Sequence, residues 1–282
     1  MPSKLTPLKK WKIFAKMWSQ INWPWRPSPQ DLQFWSKYLK KIKTKNSRAV
    51  ILGSTPEIRD LLAKHKIETT LLDRNPEMPE ALGVFMKTKG YKTRYICGDW
   101  LRASKYFPEN YFDFVLGHAV LNNILWSDYK ILLKNISKIL KPKGLFLFQG
   151  NFARKHPISL QKVIEKFKKE PKFFSLFQNR AYILNCFTYS LFYNKKTKVY
   201  SWGPVKKILL KEIRKQKMPL KIIDKIWPIK GNYIDHYKGT APKRNELLKL
   251  FRKYFKILEI LPLKYHPVDV FHFTIALKNL KK

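Results

Sequence analysis

Between Arg48 and Gly150, short apolar runs alternate with stretches of helical period, and that rhythm restricts the chain to a layered α/β fold. AVILG (49–53) and ETTLLD (68–73) read as strands, YKTRYICGDW and YFDFVLGHAV each hold one, and LFLFQG is another. The segments between them, PEIRDLLAKH, PEALGVFMKTKG and YKILLKNISKILKPKG, read as helices, the last two ending at a glycine and at a Pro/Gly stop. Repeated βα units of this length imply a parallel sheet with helices on both faces. After residue 240 come a helix, ELLKLFRKYF, and two strands, KILEILPLKY and FHFTIALK, with no helix between them. An antiparallel pair at one sheet edge follows.

The flanks differ. Trp11, Phe14, Trp18 and Ile21 recur at helical spacing among lysines, so 8–21 reads as a basic amphipathic helix. Packing onto the domain is the favoured use for it, and peripheral membrane contact the weaker one. Next, Ser28 is a good N-cap, Pro29 suits the first helical position and Asp31 completes a capping box, which predicts a helix over 29–43. Residues 151–240 break the βα rhythm and are basic, aromatic and expected to be mostly helical. The predicted organisation is a helical lid over 1–45, a nucleotide-binding domain over 46–150 and 241–282, and a helical insertion over 151–240 for acceptor recognition.

Charge narrows the partners. The net charge is +39, yet residues 46–128 hold 11 basic and 10 acidic residues, a net of +1, while the remainder holds 47 and 9, a net of +38. Such a surface attracts polyanions; the scarcity of alanine and glycine also fits codon bias, which does not account for the few acids. No apolar run reaches the roughly 18 residues of a membrane span, and the N-terminus has no apolar core for a signal peptide. Cys97 and Cys186 match no metal spacing and read as free thiols. The expected setting is cytoplasmic, without metal.

In open parallel sheets, ligands sit beyond the carboxyl ends of the strands. Here those ends are Gly53-Ser54-Thr55, Asp73-Arg74, Gly98-Asp99-Trp100 and Gly117-His118. Asp73 follows Gly53 by 20 residues, the spacing at which a carboxylate accepts both ribose hydroxyls of an adenosine. Asp99 suits the adenine amino group, and Trp100 either stacks on a base or packs.

VILGSTPE, LLDRN, YICGDW, FDFVLGHAVLNNI and ISKILKPKGLFLF, in this order and spacing, resemble the class I S-adenosylmethionine-dependent methyltransferases. The resemblance covers roughly 46–150 and 241–280. It implies a doubly wound, Rossmann-like, mostly parallel seven-stranded sheet with an antiparallel edge strand, N-terminal helices and a helical insertion. WPWRPSPQD followed by LGSTPE is similar to a subgroup with an Arg-Pro-Ser segment before a Gly-x-Thr-Pro-Glu first loop. There are departures: Ile51 stands where the family has an acid, Thr55 and Glu57 where it has further glycines, and Lys143 inside its Pro-Gly-Gly stop.

The first loop still discriminates between cofactors. Thr55 can cap the next helix, Pro56 preorganises its first turn, and Glu57 suits its positive end. The charge of Glu57 and the missing donor of Pro56 oppose a pyrophosphate. A cationic sulfonium with an α-amino group tolerates them, which favours S-adenosylmethionine over a dinucleotide. The cofactor-facing residues are then Gly53, Ser54, Thr55, Glu57, Asp73, Arg74, Asp99, Trp100 and His118. His118 is the candidate general base, while Arg26 and Asn122 are candidate acceptor contacts. The chain lacks Asn-Pro-Pro-Tyr, which disfavours methylation of a nucleobase amino group by the usual arrangement. Three readings stay open: transfer to a small or medium-sized, anionic acceptor, transfer to RNA, and a basic binding protein on a degenerate fold.

Overall fold

A computed structural model describes residues 15, 17–153, 159–175, 188, 191–202, 205–217, 237–263 and 272–281. The helix expected over 8–21 and the aromatic stretches around 176–187 and 218–236 lie wholly or largely outside them.

The strands are β1 (Arg48–Leu52), β2 (Glu68–Asp73), β3 (Arg94–Cys97), β4 (Phe112–His118), β5 (Leu140–Asn151), β6 (Val199–Ser201), β7 (Lys238–Thr240), β8 (Phe255–Leu263) and β9 (His272–Asn279). Seven of them form one sheet in the order β3-β2-β1-β4-β5-β9-β8. β1 to β5 are parallel, and β9 runs antiparallel to both β5 and β8. The expected architecture is therefore present. Around the sheet lie α1 (Pro29–Ile42), α2 (Pro56–Lys64), α3 (Met78–Gly83), α4 (Ala103–Tyr106), α5 (Tyr129–Ile139), α6 (Leu160–Lys169), α7 (Val205–Lys215) and α8 (Arg244–Phe251).

The period of two along each strand sorts side chains to two cores. Ala49 and Ile51 of β1 face a layer built from α1 and α2, with Trp35, Leu39, Ile58 and Leu62. Val50 and Leu52 face the opposite layer, where Leu132, Leu133 and Ile136 of α5 and Phe251 of α8 pack. Helix α1 starts as its sequence dictates: the Ser28 hydroxyl accepts from the Asp31 amide, and Asp31 Oδ2 accepts from the Ser28 amide at 2.8 Å. Although it falls within the segment expected to be a lid, α1 is built into the core.

Two details depart from the sequence reading. Helix α3 ends at Gly83, well before Gly90; the Arg59 guanidinium lies beside Gly83 and donates to the Pro79 carbonyl at 2.9 Å. The insertion is not purely helical, since β6 and β7 pair into a separate antiparallel ribbon. Tyr200 and Trp202 there are buried.

Replacing Ser28 with Ala is expected to remove the cap of α1 at a cost of about 1 kcal/mol. Thermal denaturation should register this as a melting temperature lower by about 2 °C.

Candidate functional site

Strand register brings the expected residues to one edge. Leu52 lies opposite both Leu72 and Gly117, Asp73 opposite Cys97, and His118 opposite Gln149. Gly53, Asp73, Gly98 and His118 thus share the carboxyl end of the sheet, on either side of the β1/β4 switch point.

Gly53 has φ +111°, a conformation that side chains rarely adopt. Its amide donates to the Leu72 carbonyl at 2.9 Å, and the Trp100 indole donates to the same oxygen at 2.7 Å. Of the two roles open to Trp100, its nitrogen is committed to packing. Gly98 is constrained as well, because a Cβ there would lie 2.6 Å from the Tyr106 ring. Its small size lets Tyr106 reach the Asp99 amide at 3.3 Å.

Asp73 is half-buried at the end of β2. Its carboxylate accepts from Ser54 Oγ at 3.1 Å and from the Asn75 amide at 3.0 Å. Burial raises its pKa, against the lowering effect of these bonds and of Arg74. Arg74 bridges instead to Asp99, 3.7 Å away, while Asp99 caps the following turn through the Leu101 amide. Ser54, Asp73, Arg74 and Asp99 thus form one polar rim.

Thr55 does not cap α2 through its side chain. Glu57 begins the helix as expected, but it is not left facing an open site. Arg26 Nε donates to Glu57 Oε1 at 2.8 Å, Arg26 Nη2 also contacts that oxygen, and Trp18 Nε1 donates to it at 3.2 Å. Arg26 Nη1 holds the Trp18 and Ile21 carbonyls. Arg26, expected at the acceptor, therefore spends its donors fastening residues 18–26 over the first loop. Glu57 Oε2 is buried and has no hydrogen-bond partner among the described residues.

Across the switch point, the His118 ring retains some exposure, but its Nε2 is sealed from solvent with no hydrogen-bond partner among the described residues. Burial first, then the nearby His272, pushes its pKa down to about 3, which the Pro24 carbonyl opposes only in part. The imidazole is neutral at physiological pH, an acceptor of hydrogen bonds and a weak base. Asn122, expected as an acceptor contact, is buried, and its amide donates to Asn151 Oδ1. Burial pushes the pKa of the adjacent Tyr200 up to about 12, so it stays protonated. Trp25 meets Trp202 edge-on at 5.4 Å and closes this side. Asn151, Tyr200 and His272 were not singled out from sequence. The strand register that sets Asn151 opposite His272 brings those two together, whereas Tyr200 comes from the separate β6–β7 ribbon.

Among the described residues no group of His, Cys, Asp and Glu could hold a metal ion, and no helix is long and apolar enough to cross a membrane.

The family model described as "Methyltransferase domain" matches residues 52–148, from the first loop to β5. No curated protein matches the sequence. Similar solved structures include a Rhodobacter sphaeroides protein described as a Zn-dependent alcohol dehydrogenase (TM-score 0.60, 14% identity, 96% of this chain and 98% of that one). Others are the N-methyltransferase NodS from Bradyrhizobium japonicum with S-adenosylhomocysteine (0.52, 11%, 96% and 99%) and the 1,6-didemethyltoxoflavin-N1-methyltransferase from Burkholderia thailandensis with the same molecule and its acceptor (0.52, 11%, 97% and 88%). At these identities the likeness is one of fold. The matched segment is thus similar to a methyltransferase domain from the end of β1 into β5.

The low pKa of His118 has a thermodynamic consequence. Unfolding restores an ordinary value of 6.5, so between pH 6.5 and about 3 the unfolded chain binds the extra proton. Stability from this group is complete above pH 6.5 and is lost as pH falls, by at most ~1.4 kcal/mol per pH unit. His118→Gln should show a smaller drop in melting temperature between pH 7 and pH 5 than the unmodified protein, measured in parallel titrations.

Proposed function

We propose that the chain is an S-adenosylmethionine-dependent methyltransferase of the subgroup with a Gly-x-Thr-Pro-Glu first loop. The observation that carries this reading is the meeting of Gly53, at φ +111°, with Asp73 and Asp99 at successive strand ends inside the matched methyltransferase domain. The residues fit the cofactor: a backbone turn free of side chain for close approach, Asp73 for the ribose hydroxyls, Asp99 for the adenine amino group, and the unpartnered Glu57 Oε2 for the methionine ammonium. Bound there, S-adenosylmethionine supplies a methyl group on a positively charged sulfur, which leaves as a neutral thioether.

The chain's own task is alignment and exclusion of water. His118 Nε2 is suited to accept a hydrogen bond from an N–H or O–H nucleophile and so direct its lone pair at the methyl carbon. With a pKa of about 3 it orients the acceptor, and the displaced proton passes to solvent. Tyr200, kept protonated, is the complementary donor. The reacting atom therefore sits among neutral groups. The acceptor is small or medium-sized, its anionic part held by the basic surface. Transfer to RNA is the second reading, favoured by the same surface. The neutral balance of residues 46–128 suits a cationic cofactor in a protein of +39.

Calorimetry with S-adenosylmethionine tests the assignment. Asp73→Ala should weaken binding by about ten- to a hundredfold, the loss of a charged hydrogen bond; unchanged affinity in the folded variant removes Asp73 from the site. A second comparison isolates Glu57. If its Oε2 serves the cofactor, Glu57→Gln should weaken binding by about tenfold or more while Arg26→Gln does markedly less. Equal losses would assign the pair to fastening residues 18–26 alone.

A further inference from the structure

At the opposite end of the sheet, a cleft of about 350 Å³ opens between α1 and the start of β5. Tyr38, Ile42 and Leu258 give it apolar walls, and Lys41, Lys141, Lys143 and Lys278 line it. The single acid there, Asp113, is spent: it holds Lys141 at 2.8 Å and the Arg48 amide at 2.8 Å. Three ammonium groups are left with no ion pair among the described residues.

Two of these lysines stand at positions their backbones disfavour. Lys143 has φ +66°, a left-handed turn that glycine adopts freely and a side chain only at a cost. Lys66, Lys198 and Lys217 share this conformation, so strain alone assigns nothing; Lys143 is the one that opens on the cleft. Lys278 of β9 lies directly opposite Lys256 of β8, and like charges so paired repel. Lys41, in the last turn of α1, is accounted for by the helix dipole.

We propose that this cleft is a docking site for the phosphodiester backbone of a single-stranded nucleic acid, distinct from the methyl-transfer site. An anion here offsets the repulsion at Lys278 and pairs with the ammonium of Lys143. A lone phosphate takes up only part of this volume, whereas a nucleotide unit also uses its apolar part and the next phosphate along a strand is drawn to Lys256, opposite Lys278. The apolar walls take the sugar or base of one unit, as single-strand sites do. The proposal holds whichever acceptor is methylated at the other end.

The test is fluorescence anisotropy with a labelled 20-nucleotide RNA of mixed sequence, without cofactor, over a range of salt. Lys143→Gly/Lys278→Gln should bind roughly tenfold more weakly near physiological salt, with a salt slope shallower by roughly 1.4, the loss of two phosphate contacts. A charge-matched control, Lys87→Gln/Lys89→Gln, should bind as the unmodified protein does. Because glycine suits the left-handed turn and glutamine removes the repulsion, the cleft variant should melt no lower than the parent. If it fails to fold, Lys41→Gln, on the surface of α1, replaces it, with an expected loss of roughly threefold. Equal losses in cleft variant and control, or no loss in either, overturn the proposal. So does binding to phosphatidylserine vesicles at concentrations where the RNA stays free. None of these outcomes bears on S-adenosylmethionine binding at Asp73.

Discussion

Burial of β1 on both faces is the constraint from which the rest follows. With Ala49 and Ile51 committed to one helical layer and Val50 and Leu52 to the other, the strand has no polar face to offer. The strands beside it bury mostly apolar residues as well, so the charged and ring-nitrogen side chains gather at the sheet's two ends. At the carboxyl end the chain must leave each strand and turn, and there the backbone requires small residues: Gly53 at its positive φ, Gly98 beneath Tyr106, and Gly117, where a Cβ would meet Val120 at 2.2 Å. Each glycine is followed within two residues by a polar side chain. The Leu72 carbonyl, accepting from Gly53 and Trp100 together, ties three of these strand ends into one unit.

This explains what could be read from sequence and what could not. Strands and helices were legible because their periodicity is local, and the cap at Ser28 because all its partners lie within three residues. The strand-end acids were legible because parallel topology alone brings them to one edge. The Arg26–Glu57 pair was not: its partners lie 31 residues apart, and their meeting depends on the path taken by residues 18–28. The β6–β7 ribbon was hidden for a related reason. A three-residue strand has too short an alternation to be distinguished in a lysine-rich segment, and Lys238-Gly239-Thr240 pairs with residues almost forty positions away.

The charge is likewise not one phenomenon. Ten glycines in 282 residues leave several left-handed positions to lysine, as at Lys66 after α2, where the Ile67 amide returns to the Leu62 carbonyl to end the helix. Such lysines replace glycine in a turn, and they accord with a compositional drift. Charges that meet a like charge across a strand pair, as Lys278 meets Lys256, are different, because drift offers no compensation for the repulsion. The even balance of residues 46–128 shows that acids are retained around the first four strand ends.

Glu57 shows how a first loop with a single glycine can remain serviceable. In a glycine-rich loop the backbone amides face the ligand and suit an anion. Here Pro56 has removed one donor, and a carboxylate stands at the helix start, so the loop is less suited to an anion. A bare acid so placed, 14% exposed, would carry a desolvation cost. Arg26 and Trp18 offset it through one carboxylate oxygen and leave the other without a partner. The same contact holds residues 18–26 against the loop, so closure of that segment and the electrostatics of the site are set by one ion pair. A ligand that brings a positive charge to the free oxygen would strengthen the arrangement, whereas a phosphate would compete with it. On the proposed reading, the loop would discriminate by charge through the pairing of Glu57 rather than through the number of its glycines.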